Sequence, residues 1–127
     1  TTTPGSKLTV AGAINSTDLL GGITTLSVDA SGNIIRTPSD QKLKTNVETL
    51  TSALDKVNAM RGVSYNWIDT QRFGPDKEIG FIAQELETIV PEVVKSGGEY
   101  KSVNYQNLTA LLTEAIKELS INRLYLR

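Results

Sequence analysis

Near the C-terminus Tyr105, Leu108, Leu112, Ala115, Leu119, Asn122 and Leu126 recur at alternating spacings of three and four, the repeat that lines one seam of an α-helix. The spacing predicts a long helix over about residues 104–124, with these side chains at heptad a and d positions. Leu111, Ile116 and Leu124 fall off the seam, so the helix carries more apolar surface than a two-helix contact needs and should meet several neighbours. Three heptads is the lower limit for a coiled coil, so periodicity alone leaves a second outcome open, an amphipathic helix packing on its own domain.

Upstream the pattern changes at Pro38. Residues 7 to 37 lack helical period and are rich in Thr, Ser, Gly and β-branched residues, with short alternations at Leu8-Thr9-Val10 and Leu26-Ser27-Val28. They read as short strands punctuated by Gly21-Gly22, with Asp29-Ala30-Ser31-Gly32-Asn33 as a turn leading into Ile34-Ile35-Arg36. The Asp-x-Ser-x-Asn spacing also suggests a calcium loop, but the distal carboxylate is missing and the turn is preferred. After Pro38, Val47, Leu50, Leu54, Val57 and Met60 share one face of a helix expected at about 46–60, ended by Gly62. Val63, Tyr65 and Trp67 then alternate as a strand does, and Asp69 to Glu78 read as a polar loop. A short helix is expected over 81–89, stopped by Pro91, and a small hairpin joins Val93-Val94 to Tyr100–Val103 through Gly97-Gly98. The fold class is α+β: short strands, then a helical domain with small hairpins and a long last helix.

Composition narrows the chemistry. A chain of 127 residues with 39% hydrophobic content suits one ordinary domain with a modest core. Thirteen basic against fourteen acidic residues leave a net charge of -1 and no electrostatic reason to bind nucleic acid. Without cysteine there is no disulfide or thiol catalysis, and without histidine the commonest general base and zinc ligand is missing. No metal and no cofactor is expected. No apolar run approaches the roughly 20 residues that cross a bilayer, and no signal sequence is evident, so a soluble, unsecreted chain without a membrane partner is expected. A start at Thr1-Thr2-Thr3, with the only methionine at position 60, suggests a piece of a longer polypeptide.

Any catalysis must then use Ser, Thr, Lys, Asp, Glu or Tyr. In Ser39-Asp40-Gln41-Lys42-Leu43-Lys44 a hydroxyl and an amine lie five residues apart where an extended segment meets a helix, a candidate Ser-Lys dyad. Lysine can take a proton from serine only when neutral, so its reference pKa of about 10.4 must fall, through desolvation or neighbouring cations such as Lys42. A spacing of five does not share a helix face, so Ser39 and Lys44 can meet only across a turn, and the motif should straddle a helix start. Read without its flanks, the same stretch is a helix cap with solvated lysines.

The flanks reverse those odds. Leu50, Ala53-Leu54-Asp55-Lys56-Val57, Met60 to Trp67, Gly80-Phe81-Ile82-Ala83-Gln84-Glu85, Val90-Pro91-Glu92-Val93-Val94, Lys101-Ser102-Val103-Asn104-Tyr105 and Leu108-Thr109-Ala110-Leu111-Leu112 follow the serine in a fixed order. From residue 39 to about 119 the chain resembles the auto-cleaving intramolecular chaperone domain of bacteriophage tail spikes, tail fibres and neck appendages. The resemblance implies a homotrimer whose long helices form a bundle or coiled coil. It also implies cleavage at Pro38-Ser39, with Ser39 as nucleophile, Lys44 as general base, and Asp40 and Leu43 as supporting motif positions, Asp40 as a cap or orienting group. Residues 1–38 would then be the β-rich distal end of a fibre and 39–127 the auto-processing chaperone, a single-turnover serine endopeptidase. Its partners would be its own copies and the upstream fibre chain. It would work in the host bacterial cytoplasm during virion assembly, with the fibre part carried into the virion and the chaperone released. An oxyanion hole is needed too, and backbone N–H groups at the start of the first helix are natural donors.

Two rival readings keep the fibre context: a permanent, non-enzymatic receptor-binding tip in which Ser39 is only a cap, and a chaperone that no longer cuts. Glu85 and Glu87 are two apart on a helix and point to different faces, which argues against a glycosidase pair. Gln84-Glu85 is assigned a structural role. Tyr65, Trp67 and Phe81 are expected in the core rather than on a binding platform.

Overall fold

Leu26-Ser27-Val28 and Ile34-Ile35-Arg36 are β-branched or leucine-rich triplets on either side of a polar turn, and they pair. The computed structural model describes residues 26–29, 31 and 33–126; the strand expected at Leu8-Thr9-Val10 and the Gly21-Gly22 break lie outside the described residues. Strands β1 (Leu26–Val28) and β2 (Ile34–Arg36) are antiparallel, with Leu26 opposite Arg36 and Val28 opposite Ile34. The Asp29 carboxylate closes the turn by accepting from the backbone N–H of Ser31 and Asn33, both at 2.9 Å, and from the Asn33 side chain at 3.0 Å. It serves as a hairpin turn. The chain divides into two compact units, one ending at Val47 and one beginning at Glu48.

In the second unit α1 runs over Ala53–Ala59, shorter than the 46–60 expected. Asn46 (φ 51°) and Ser52 (φ 54°) are both left-handed, a conformation that interrupts helical hydrogen bonding, so Val47 and Leu50 precede the helix and are exposed. β3 (Val63–Asn66) then pairs antiparallel with β4 (Lys77–Gly80) through a short helix α2 (Thr70–Phe73). β4 begins inside the stretch expected as a polar loop, Asp69 to Glu78, and its one large apolar residue, Ile79, faces solvent. α3 (Ala83–Glu87) is shorter than the expected 81–89; Pro91 follows in a 3-10 turn, and β5 (Val94–Lys95) pairs with β6 (Ser102–Val103) as the Gly97-Gly98 signal indicated. A 3-10 turn at Tyr105–Asn107 leads into α4 (Leu108–Tyr125). Among the described residues the result is mixed α and β, with three two-stranded sheets and a long last helix.

Among the described residues the core is small and apolar: Ala53, Leu86, Val90, Val93, Val94, Leu108, Leu111 and Ala115 are buried, with Leu54, Val57, Met60, Phe81 and Ile89 packed around them. It gathers where α4 crosses α1. Leu108, Leu111 and Ala115 follow an i, i+3, i+7 pattern, so this face belongs to the chain's own core. The seam read from the sequence is therefore split: Leu108 and Ala115 turn inward while Leu112 and Leu119 stay exposed beside Ile116.

Two contacts fix the ends of these elements. The first is Glu118, on α4, whose carboxylate accepts from Ala53 N–H at 3.0 Å and Leu54 N–H at 2.8 Å, capping α1 from another helix. The nominal cap, Ser52, makes no side-chain bond. These two backbone donors hold the Glu118 carboxyl below its ordinary pKa, because they favour the charged form. A depressed folded pKa stabilises the fold above the unfolded value, about 4.3, and that contribution is lost as pH falls through the folded value. Thermal melts from pH 6 downward should show the parent losing part of its margin over Glu118→Gln below about pH 4.

The second is Tyr105, whose hydroxyl accepts from Phe81 N–H at 3.0 Å and ties the start of α4 to the end of β4. A Cβ on Gly80 would stand 2.5 Å from that hydroxyl. Gly80→Ala should therefore eject the Tyr105 ring and lower stability by about 1–3 kcal/mol in a denaturant titration. The double variant with Tyr105→Phe should recover part of the loss.

Candidate functional site

Pro38 keeps Thr37 extended, and Asp40 then folds the chain back. The Asp40 carboxylate accepts from Lys42 N–H at 2.8 Å, and the Asp40 carbonyl accepts from Leu43 N–H at 3.1 Å. One 3-10 turn, Gln41–Leu43, results, and Lys44 N–H closes it on the Gln41 carbonyl at 3.1 Å. Lys44 leaves the turn extended (φ -119°, ψ 146°), and its ammonium Nζ donates to Ser39 Oγ at 2.7 Å. The two side chains that the five-residue spacing could join only across a turn are joined across one.

Asp40 occupies the cap position expected of it. Leu43, the other supporting residue, sits on the turn with 69% of its surface exposed. Ser39 and Lys44 are exposed as well. In the geometry observed the amine is the donor; to act as a base it must lose that proton and accept from the hydroxyl, along the same 2.7 Å line. Pro38, whose carbonyl precedes Ser39, borders an open depression on the hairpin lined also by Asp29, Asn33, Ile34, Ile35 and Arg36.

Several of the N–H groups expected as oxyanion donors are otherwise engaged. At the turn those of Lys42, Leu43 and Lys44 serve the cap and the turn itself, and at α1 those of Ala53 and Leu54 are held by Glu118.

The residues set aside from chemistry have structural partners. Glu85 makes a two-pronged ion pair with Arg61, and Glu87 pairs with Lys101, so the two carboxylates diverge. Such exposed pairs contribute roughly 0–1 kcal/mol each. Phe81 packs against the core, but Trp67 does not: it is 37% exposed and stacks on Phe73 at 4.3 Å, with Tyr65 edge-on at 5.2 Å and Arg72 over the Phe73 ring. The core placement expected for Trp67 is corrected. Its strand runs out into the α2 arm, where the rings cover one another instead of the core. Sequence reasoning missed Glu118 and Tyr105 as positioning residues, since each makes its contact with a distant part of the chain.

Comparison with known proteins agrees with this layout. A sequence pattern for a peptidase family described as the chaperone of endosialidase matches residues 39–95, beginning at Ser39 itself. The chain is 37% identical over 90 residues to the Long tail fiber protein Gp37 of Enterobacteria phage K3, covering 65% of this chain and 7% of that protein. With the protein of the same name from Enterobacteria phage M1 it shares 34% over 89 residues, 65% of this chain and 36% of the relative. An uncharacterized membrane protein of Dictyostelium discoideum shares 34% over 95 residues, 61% of this chain and 6% of that protein. The chain thus spans less than a tenth of the phage K3 protein and about a third of the phage M1 protein. From Ser39 to Lys95 the chain is similar to the chaperone-of-endosialidase family, and over 65% of its length it is similar to these tail-fibre proteins.

Proposed function

We propose that this domain is a self-releasing assembly chaperone: three copies associate, hold three upstream fibre chains in register while they fold, and are then cut away at Pro38-Ser39. The observation that carries the reading is the 2.7 Å contact between Lys44 Nζ and Ser39 Oγ, at the position where the family match begins. The tail-fibre relatives support the upstream partner. Interwoven β-fibres depend on non-local contacts and close slowly, so tethering three chain ends raises their effective concentration. The assembly site in this reading is the host cytoplasm, and the fibre part goes on to the virion.

The reaction balances within the chain and one water. Neutral Lys44 Nζ takes the Ser39 Oγ proton, and Oγ attacks the Pro38 carbonyl carbon through a five-membered ring. The carbon–nitrogen bond breaks as the Ser39 nitrogen accepts the proton from Lys44, leaving an ester between Pro38 and Ser39. Water hydrolyses the ester, giving a Pro38 carboxylate and restoring the Ser39 hydroxyl. Ser39 and Lys44 are exposed in the single chain, and an ammonium in water holds its proton, so assembly has a chemical task as well as a mechanical one. Covering the turn, with exposed Leu43 beside it, favours the neutral amine. Separation after folding makes the step one-way, because the fibre loses its template and persists kinetically.

The chemical boundary in this proposal lies at 38/39, within the first compact unit, so the released piece takes the dyad turn with it. Intact-mass measurement beside light scattering tests the reading. The expected result is two products, residues 1–38 and 39–127, and a particle containing three copies of the latter. An uncut chain that stays monomeric overturns it; an uncut trimer would leave a chaperone without a peptidase.

A further inference from the structure

We propose that Ser27 and Thr37 clamp the upstream side of the scissile bond: their paired hydroxyls hold Thr37 on the folded β1–β2 hairpin and so present the Pro38 carbonyl to Ser39. This rests on the cut at Pro38-Ser39 proposed above and adds two positioning residues on the side of the bond opposite the dyad. Attack needs both the nucleophile and the carbonyl in place. The turn from Asp40 to Lys44 places the first and does not reach the second.

The carbonyl belongs to a segment that the hairpin controls. β2 ends at Arg36, yet Thr37 is still tied to β1, because Ser27 Oγ and Thr37 Oγ1 are hydrogen-bonded to each other. Ser27 lies opposite Ile35, so Thr37, two residues further along, is its diagonal neighbour on the same face, where hydroxyl pairs form across strands. Ser27 is half-buried, while Leu26 and Val28 on the other face are exposed, so β1 covers its hydroxyl rather than its apolar side chains. Pro38 restricts Thr37 to extended backbone and its own ring fixes φ, so few torsions remain between the clamp and the carbonyl. Ser27 and Thr37 stand ten residues apart and meet only once the turn at Asp29 has closed. With the hairpin open, the carbonyl is free to turn away from Ser39 Oγ, and a misplacement of about 1 Å can slow such a step by about 10²-fold. The clamp therefore delays the cut until the chain just before it has folded.

The test follows full chains made by cell-free translation, with intact mass over time for cutting and light scattering for assembly. Ser27→Ala and Thr37→Val each remove one hydroxyl, and each should slow cutting about three- to tenfold while assembly matches the parent's. The double variant should be no slower than either single one, because both break the same bond. Ser27→Thr keeps the hydroxyl on a residue that favours strands and should recover the rate lost in Ser27→Ala. A contact that only steadies the hairpin would leave the cutting rate unchanged. Parent-like cutting in Ser27→Ala and Thr37→Val therefore overturns the clamp and leaves the dyad standing. So do losses that multiply in the double variant, or slower cutting accompanied by loss of assembly, since the two residues would then act separately or through the trimer. No cutting in the parent, or cutting in Ser39→Ala, overturns the dyad reading and the clamp with it.

Discussion

Ser39→Ala is expected to stop chain cleavage altogether, and Lys44→Arg to do nearly the same, while both variants still assemble. Removing the hydroxyl removes the covalent route, and losing one member of such a nucleophile–base unit lowers rates by on the order of 10⁴ or more. Arginine tests the base assignment more sharply than alanine. It keeps the positive charge and can still donate to Ser39 Oγ, but a guanidinium does not give up a proton at any accessible pH. A structural reading, in which Lys44 merely holds Ser39 in a capped turn, predicts that Lys44→Arg behaves as the parent. Intact-mass spectrometry over a time course reads all three chains. Equal processing in parent and variants would remove the dyad, and an uncut parent that still forms trimers would indicate a chaperone that holds without cutting. Asp40→Ala should fall between: the cap bond to Lys42 N–H is lost, the turn loosens, and cutting slows without stopping.

The site was more legible than the fold around it, and the reason is range. The encounter of Ser39 with Lys44 is decided by a proline, an aspartate cap and one turn, all within seven residues, and such local chemistry is written in order along the chain. The β1–β2 hairpin and the β5–β6 hairpin were readable for the same reason, since a polar or glycine turn sits between two apolar triplets or pairs. Where a distant residue decides, the sequence misleads. The apolar spacing of Val47, Leu50, Leu54 and Val57 continues through Ser52, yet the helix begins only at Ala53, where Glu118 of another helix supplies the cap. β4 has no apolar face of its own and becomes a strand by pairing with β3 and by the bond from Phe81 N–H to Tyr105. In α4 the heptad was visible but its orientation was not. Only the position of α1 determines that Leu108, Leu111 and Ala115 go inward and leave Leu112, Ile116 and Leu119 outside.

Those three exposed residues carry the second large expected effect. Leu112, Ile116 and Leu119 are 45%, 63% and 47% exposed and spaced four and three apart, so they form a stripe with the periodicity of a coiled-coil seam on the flank of α4 beside its buried face. Replacing Leu112 and Ile116 together by lysine should convert the proposed trimer to a monomer without unfolding it. In a single chain the change is a surface substitution, within about 0.5 kcal/mol of neutral, because neither side chain belongs to the buried set and lysine suits a helix. In a three-helix seam each lysine ammonium would be drawn out of water beside two others, at several kcal/mol per charge, and each 1.4 kcal/mol is about a tenfold loss in association. The expected outcome is a circular dichroism spectrum like the parent's, a light-scattering mass of one chain, and no cleavage, because no neighbouring copy then covers the dyad turn. A trimeric double variant would place the interface elsewhere on the chain. A monomeric variant that still cuts at the parent rate would show that assembly contributes nothing to the chemistry.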